Sequence, residues 1–323
     1  MPPVSTLEDL YRTMYTIRYY NEALRAAFDE GAPIPAGIHG SLGQEAPAAG
    51  VCQHLRTDDW AFASHRSSHV AIAKGVDLEG LIAEQLGKRG GVCSGKGGEQ
   101  HLFDETANVV SGAIVAQHLP TATGVAMAHR RRGTDRVAVG FVGDGAANQG
   151  AFYESLNFAS VNDLPVVFVV EDNAYGISTP KSRVTAVADN AERARGQGMP
   201  GVRVEENDVT AVHEAAGEAV ARARAGEGPT LLEVRTHRRT GHFFQDPEGY
   251  RGEGEYEAMA EDDCMPRIEA DLRAAGVDDA DVAAVRADVE ATVDGAIEAA
   301  LAQDDPDPEA ARAHVFAGRD GGA

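Results

Sequence analysis

Two short stretches carry side chains suited to holding a metal ion and a phosphate. VGDGAANQG occupies residues 142–150 and VVEDNAYGIST residues 169–179. Asp144 offers a charged oxygen and Asn173 an amide oxygen, the hard donors that suit Mg2+. Magnesium keeps near-octahedral geometry and completes its shell with phosphates and water, so the pair implies a phosphate ligand. Gly143 and Gly145 allow close backbone approach, and a helix opening after Ala146 would aim free N–H groups at the ligand's oxygens. Gly, Asp and Asn are also favoured in ordinary strand-to-helix turns, so neither corner alone separates a site from a turn.

The elements around these corners decide whether they can meet. Val137, Val139, Phe141 and Val142 lead into Gly143, and Val166 to Val170 lead into Glu171. Both runs read as buried strands of a parallel sheet. Phe152, Leu156, Phe158 and Ala159 recur at near-helical spacing between them, the crossover that parallel strands require. Asp144 and Asn173 then leave the carboxyl ends of neighbouring strands, the ligand-binding edge of open α/β sheets. No G-x-G-x-x-G follows an early strand and no G-x-x-x-x-G-K-[ST] occurs, which removes the main signatures of dinucleotide and P-loop sites.

With 323 residues, 43% of them hydrophobic, and no Pro/Gly/Ser-rich linker, the chain reads as one α/β domain over 1–323 with a polar tail from about 304. Ser5 and Glu8 form a capping-box pattern, after which Leu7, Leu10, Met14, Ile17, Leu24 and Phe28 trace one helical face. Val282, Val285, Val289, Val293, Ile297 and Leu301 form a second stripe. No apolar run reaches the length of a membrane span and no signal sequence opens the chain, so a soluble, cytoplasmic protein is expected. Cys52, Cys93 and Cys264 are odd in number and far apart, unlike a disulfide framework or zinc site. A net charge of -22 argues against nucleic-acid or anionic-membrane partners. Lys74, Lys88, Lys96 and Lys181 are the only lysines, a balance that adaptation to high salt or an acidic proteome would produce.

GDGAANQG followed by EDNAYG resembles the thiamine diphosphate motif. In this form it resembles the alpha subunit of the decarboxylating first component of 2-oxo acid dehydrogenase complexes, the pyruvate, branched-chain 2-oxo acid and acetoin dehydrogenase family. The likeness runs from about residue 6 to 310 and includes LYRTMYTIRYYNEAL, HGSLGQEA (39–46), SHRSSHVAIAKG (64–75), GKGGEQHL (95–102) and TGHFFQDPEGYR (240–251).

The resemblance implies a thiamine diphosphate-binding fold, a parallel sheet flanked by helices with extra N- and C-terminal helices. It implies thiamine diphosphate and Mg2+ as cofactors, with Asp144, Asn173 and Tyr175 as metal contacts. It places Arg66 on the diphosphate with His65 beside it, Gly143, Gly145 and Ala146 along the same group, and the backbone of Ala113 and Val115 on the aminopyrimidine. His242 matches the histidine of a mobile loop that reaches the diphosphate end of the cofactor and helps receive the lipoyl group. His39 matches the family's polar residue in the substrate pocket, and Ser68 stands where many members have a substrate-side histidine. The resemblance further implies oxidative decarboxylation of a 2-oxo acid, pyruvate before acetoin or a branched-chain acid, with transfer of the acyl group to lipoyl. A beta subunit completes the site in a heterotetramer of two alpha and two beta chains. A lipoyl acyltransferase and a flavoprotein dihydrolipoyl dehydrogenase act downstream. A split transketolase half would share the metal corner but not GKGGEQHL or GHFFQDP, and a silent binding subunit would not need Asp144, Asn173 and His242 together.

Overall fold

The computed structural model describes residues 1–34 and 37–312. In chain order its strands are β1 (Trp60–Ala63), β2 (Phe103–Asp104), β3 (Val109–Ser111), β4 (Ala138–Gly143), β5 (Val166–Asp172), β6 (Tyr175–Gly176), β7 (Thr179–Pro180), β8 (Gly201–Val204) and β9 (Thr230–Arg235). Seven of them form one sheet in the order β2-β3-β1-β4-β5-β9-β8, parallel except for β2, while β6 and β7 make a small hairpin. The helices are α1 (Val4–Asp29), α2 (Glu45–Cys52), α3 (Ser68–Lys74), α4 (Leu78–Gln85), α5 (His118–Arg132), α6 (Gly150–Val161), α7 (Glu192–Gly196), α8 (Val209–Arg224), α9 (Glu255–Glu261), α10 (Cys264–Ala274) and α11 (Asp279–Leu301).

The unbroken apolar runs of β4 and β5 follow from their central place. Side chains alternate between the two faces of a strand. Val139, Phe141, Val167 and Val169 join the core shared with α1, α4, α8 and α11. Ala138, Val142, Val166, Phe168 and Val170 join a second core with α5 and α6. Both faces are covered, so no charged or polar side chain interrupts the strands before Glu171. β4 pairs with β5 from Ala138↔Val166 to Gly143↔Glu171, as the sequence predicts.

Three local expectations are corrected. Ser5 and Glu8 form no capping box: α1 begins at Val4, and the carbonyl of Pro3 accepts from the N–H groups of Thr6 and Leu7. The corner after Ala146 is a 3-10 turn (Ala146–Asn148), with the α-helix opening only at Gly150. Phe158 points outward at 45% exposure while Phe152, Leu156 and Ala159 are buried.

The terminal stripes find each other. Leu7, Leu10 and Met14 of α1 pack with Ile268 and Leu272 of α10 and Val282 of α11, and Ile17 and Leu24 share the main core with Val289 and Val293. The tail is tied at its start: Arg89 N–H donates to the Asp304 carbonyl at 3.0 Å, and Lys88 pairs with Asp305 at 2.8 Å. Residues 313–323 of that tail lie outside the described residues. Among the described residues no helix is long and apolar enough to cross a membrane, and Cys52, Cys93 and Cys264 are free thiols.

Candidate active site

Parallel pairing of β4 with β5 brings the two corners to one edge, where they touch. A Cβ on Gly145 would lie 2.8 Å from the Cα of Gly176, so the approach of the turn after β4 to β6 requires glycine there. Asp144 sits beneath this contact at 1% exposure, and both of its carboxylate oxygens lack a hydrogen-bond partner. Burial, with the Asp172 carboxylate nearby, pushes its pKa up to about 7. Asn173 turns back on its own corner: its Oδ1 accepts from Tyr175 N–H at 3.1 Å, and its Nδ2 donates to Gln44 at 2.7 Å. The Tyr175 hydroxyl donates to Glu255 at 2.7 Å.

These corners open into a cavity of about 610 Å³. His39, His65, Arg66, Ala113, Val115, Gly143, Gly145, Ala146, Asn173, Tyr175 and His242 line it, so eleven of the residues singled out from sequence converge on one space. Asp144 lies just behind its wall. Ser68 does not reach it: the side chain is buried in the first turn of α3, outside the lining, and its hydroxyl has no partner. His69 next to it is equally interior, 2.6 Å from Glu171. The substrate-side role expected of Ser68 therefore lacks a geometric basis.

Three histidines ring one wall. The His39 ring meets those of His65 and His242 edge-on, each at 4.8 Å between centroids. Burial and the adjacent Arg66 hold His65 down to about 2 and His242 to about 3, so both are neutral. Nε2 of His65 and Nδ1 of His242 are buried without partners. Arg66 is no surface ion pair. Its guanidinium donates to the carbonyls of Gly40 and of His242, the latter at 3.1 Å, and burial beside Arg238 lowers its pKa to about 10. A buried cation satisfied by neutral carbonyls alone is electrostatically ready for an anion.

Sequence reasoning missed part of the wall. Arg238, 1% exposed, donates to Ile177 O at 2.8 Å and the Tyr250 hydroxyl at 2.7 Å and faces the cavity. It reads in the sequence as one of several adjacent basic residues, and only the alternation after β9 turns it inward. Gln44 and Glu99 lie within the quoted HGSLGQEA and GKGGEQHL motifs without an assigned task.

The family model for the dehydrogenase E1 component matches residues 12–309. This chain belongs to the dehydrogenase E1 component family. It is an oxidoreductase of a thiamine diphosphate-dependent family. The E1 chain is 41% identical over 309 residues to the alpha subunit of acetoin:2,6-dichlorophenolindophenol oxidoreductase of Cupriavidus necator, covering 94% of this chain and 92% of that one. It is 42% identical over 247 residues to the Bacillus subtilis protein of the same name, covering 76% and 74%. It is 37% identical over 302 residues to the pyruvate dehydrogenase E1 component subunit alpha of Rhizobium meliloti, covering 93% and 86%. The sequence-based assignment of family and fold agrees with these matches.

The residues present fit the family's cofactor. A buried carboxylate with two free oxygens beside an amide oxygen suits a divalent ion, and Gly143 has open space where its Cβ would be. Arg66 and Arg238 supply positive charge in a chain whose net charge is -22.

Proposed function

We propose that the chain is the alpha subunit of a two-chain dehydrogenase E1 component that converts a small oxo substrate to an acetyl group and passes it to lipoyl. The observation that supports this best is Asp144, a buried carboxylate with two unpartnered oxygens at the corner shared with Asn173. In this reading Asp144, Asn173 and Tyr175 would hold Mg2+, and Arg66, Gly145 and Ala146 would hold the diphosphate. The backbone of Ala113 and Val115, which line the same cavity, would hold the aminopyrimidine. When bound, thiamine diphosphate supplies a carbon nucleophile and an electron sink.

The chain's own residues hold and orient. Burial around His65 and His242 keeps water from the anion, and the diphosphate's charge would raise both imidazoles from their depressed values. His242 lines the cavity on a loop held by Asp246, which accepts its backbone N–H at 2.7 Å, and in this reading it would help receive the lipoyl group.

The relatives named as alpha subunits support a beta partner. In the proposed assembly two alpha and two beta chains form a heterotetramer, and a lipoyl acyltransferase and dihydrolipoyl dehydrogenase complete a cytoplasmic complex. Pyruvate is the substrate that the motifs favour. Acetoin is a second reading, favoured by the higher identity to the acetoin proteins.

Co-expression with a beta chain of the same family tests this. Magnesium-dependent binding of thiamine diphosphate, followed by acylation of a lipoyl domain from pyruvate or acetoin, is expected; absence of binding by the assembled pair would overturn it. His242→Ala should slow lipoyl acylation more than reduction of an artificial electron acceptor, since the loop serves the transfer. Equal losses would remove that role.

A further inference from the structure

We propose that Glu99 positions His39 as a proton acceptor, and that this pair fits the cavity to an uncharged 2-hydroxy ketone in preference to a 2-oxo acid. The inference rests on the function proposed above and names its substrate class.

Glu99 is an acidic side chain, 7% exposed, whose ring partner lines the cavity. Its Oε2 accepts the His39 backbone N–H at 2.8 Å and lies 3.2 Å from His39 Nδ1. Its Oε1 is buried and has no hydrogen-bond partner among the described residues. The segment carrying it is firmly held. The Glu84 carboxylate accepts from the N–H groups of Cys93, Gly95, Gly97 and Gly98 at 2.7–3.1 Å, and the Ser67 hydroxyl donates to the Glu99 carbonyl at 2.5 Å.

A carboxylate at Nδ1 favours the neutral imidazole with its proton there and its lone pair on Nε2, and the Gln100 amide, 3.4 Å from the same nitrogen, can turn its oxygen to that proton. Of the three histidines on this wall, His39 alone has a carboxylate at a ring nitrogen among the described residues. His65 Nε2 and His242 Nδ1 have none. The pair therefore has the orientation of a general base, which neither of its neighbours shares.

Only one of the two candidate substrates calls for that base. Pyruvate loses its carboxylate as carbon dioxide: the C–C pair stays with the two-carbon unit, and no proton has to be removed. A 2-hydroxy ketone such as acetoin divides between its carbonyl and carbinol carbons only as the hydroxyl is deprotonated. The O–H pair becomes the second C–O bond of the released acetaldehyde, the C–C pair stays with the acyl carbon, and the proton passes to His39 Nε2. Charge acts in the same direction. A substrate carboxylate against His39 also faces the negative charge of Glu99 behind the ring, whereas an uncharged ketone does not.

The test is Glu99→Gln in the enzyme assembled with its beta chain. Glutamine keeps the volume and a carbonyl oxygen for the His39 backbone N–H, but it removes the negative charge at Nδ1 and so weakens the hold on the Nδ1 proton. We expect kcat/KM for acetoin to fall by about 100-fold and for pyruvate by less than about threefold. In the assembled enzyme without cofactor, the nitrogen NMR signals of His39 should report a smaller share of the Nδ1–H tautomer. Glu99→Asp should recover part of the acetoin rate. Equal losses on both substrates, an unchanged tautomer, or loss of magnesium-dependent thiamine diphosphate binding would overturn the proposal. Should Glu99→Gln fail to assemble, Glu99→Asp decides: it must retain a preference for acetoin, and losing it overturns the proposal. A wild type active on neither substrate overturns both this inference and the proposed function; one that uses pyruvate alone overturns only this inference.

Discussion

Glu45 and Asp144 are both acidic side chains shut away from solvent, at 0% and 1% exposure, yet the fold treats them in opposite ways. Glu45, at the start of α2, accepts from Arg18 Nε at 2.6 Å, Gly43 N–H at 3.0 Å and the Cys264 thiol at 3.2 Å. Arg18 in turn is bidentate to Asp263, which also pairs with Arg239. Charge is buried there with its hydrogen bonds made, and it ties α1, α2 and the start of α10 together. Asp144 has the same burial and no hydrogen-bond partner. Leaving a buried carboxylate unpaired is costly unless its charge is neutralised. The difference marks the first as architecture, and in the function proposed above the second is the position that takes a ligand.

Breaking the architectural side should cost most. Arg18→Met leaves Glu45 and part of Asp263 without their cation, and removal of one partner from a buried network costs about 3–5 kcal/mol. Urea unfolding should show this as a lowered midpoint at unchanged slope; a loss below about 1 kcal/mol would place the network with surface pairs.

On the ligand side, Asp144→Ala should leave the fold intact and lower magnesium-dependent thiamine diphosphate affinity by on the order of 100-fold, since loss of a desolvated charged contact costs about 2–5 kcal/mol. Asn173→Ala should act in the same direction, less strongly, because it removes a neutral oxygen. Calorimetric titration of the assembled enzyme measures both, and unchanged affinity in either variant would remove that residue from the metal site.

The comparison also has a pH signature. Because the pKa of Asp144 is raised to about 7, protons compete with the metal below that pH, so magnesium-dependent affinity should weaken as pH falls from about 8 to 6. In the metal-free protein the sign is reversed. The folded state holds the Asp144 proton over the range in which the unfolded chain, with an ordinary carboxyl near 3.9, has lost it. This residue's contribution to stability therefore declines as pH rises from about 4 to about 7 and is level above. Asp144→Asn should flatten both profiles, and unfolding midpoints of wild type and variant across that range provide the measurement.

The smallest effect is expected at Ser68. Because it sits inside α3 away from the cavity, Ser68→His should cost about 1–3 kcal/mol of stability from overpacking and leave the ratio of kcat/KM for pyruvate, acetoin and branched-chain 2-oxo acids unchanged. A shift toward smaller substrates would restore the role in sizing the pocket that its position in the motif suggests.

The parts of the site legible in the sequence are those fixed by local chemistry. The runs 137–142 and 166–170 read as buried strands, the helical spacing between them suggests a parallel crossover, and together these carry Asp144 and Asn173 to one edge. Arg66, His65 and His242 were legible only through their motifs, for nothing in the spacing of a turn after β1 and a loop after β9 says that they meet. Phe158 shows the limit of periodicity: four apolar residues at helical spacing span more of the helix than the core covers, and one is left outside.

By itself, then, the sequence determined the parallel pair, the Gly-Asp-Gly and Asp-Asn corners at its edge and the membership of the chain in its family, because strand burial, turn chemistry and contiguous motifs are properties of neighbouring residues. Tertiary structure alone decided which charges are satisfied and which are held open. It excluded Ser68 from the cavity, turned Arg238 into it, surrounded Glu45 with donors, left Asp144 with none, and set Glu99 behind His39 across 60 residues of chain. Those outcomes depend on the solvent excluded and the partners supplied by distant segments, quantities that arise only when the elements pack.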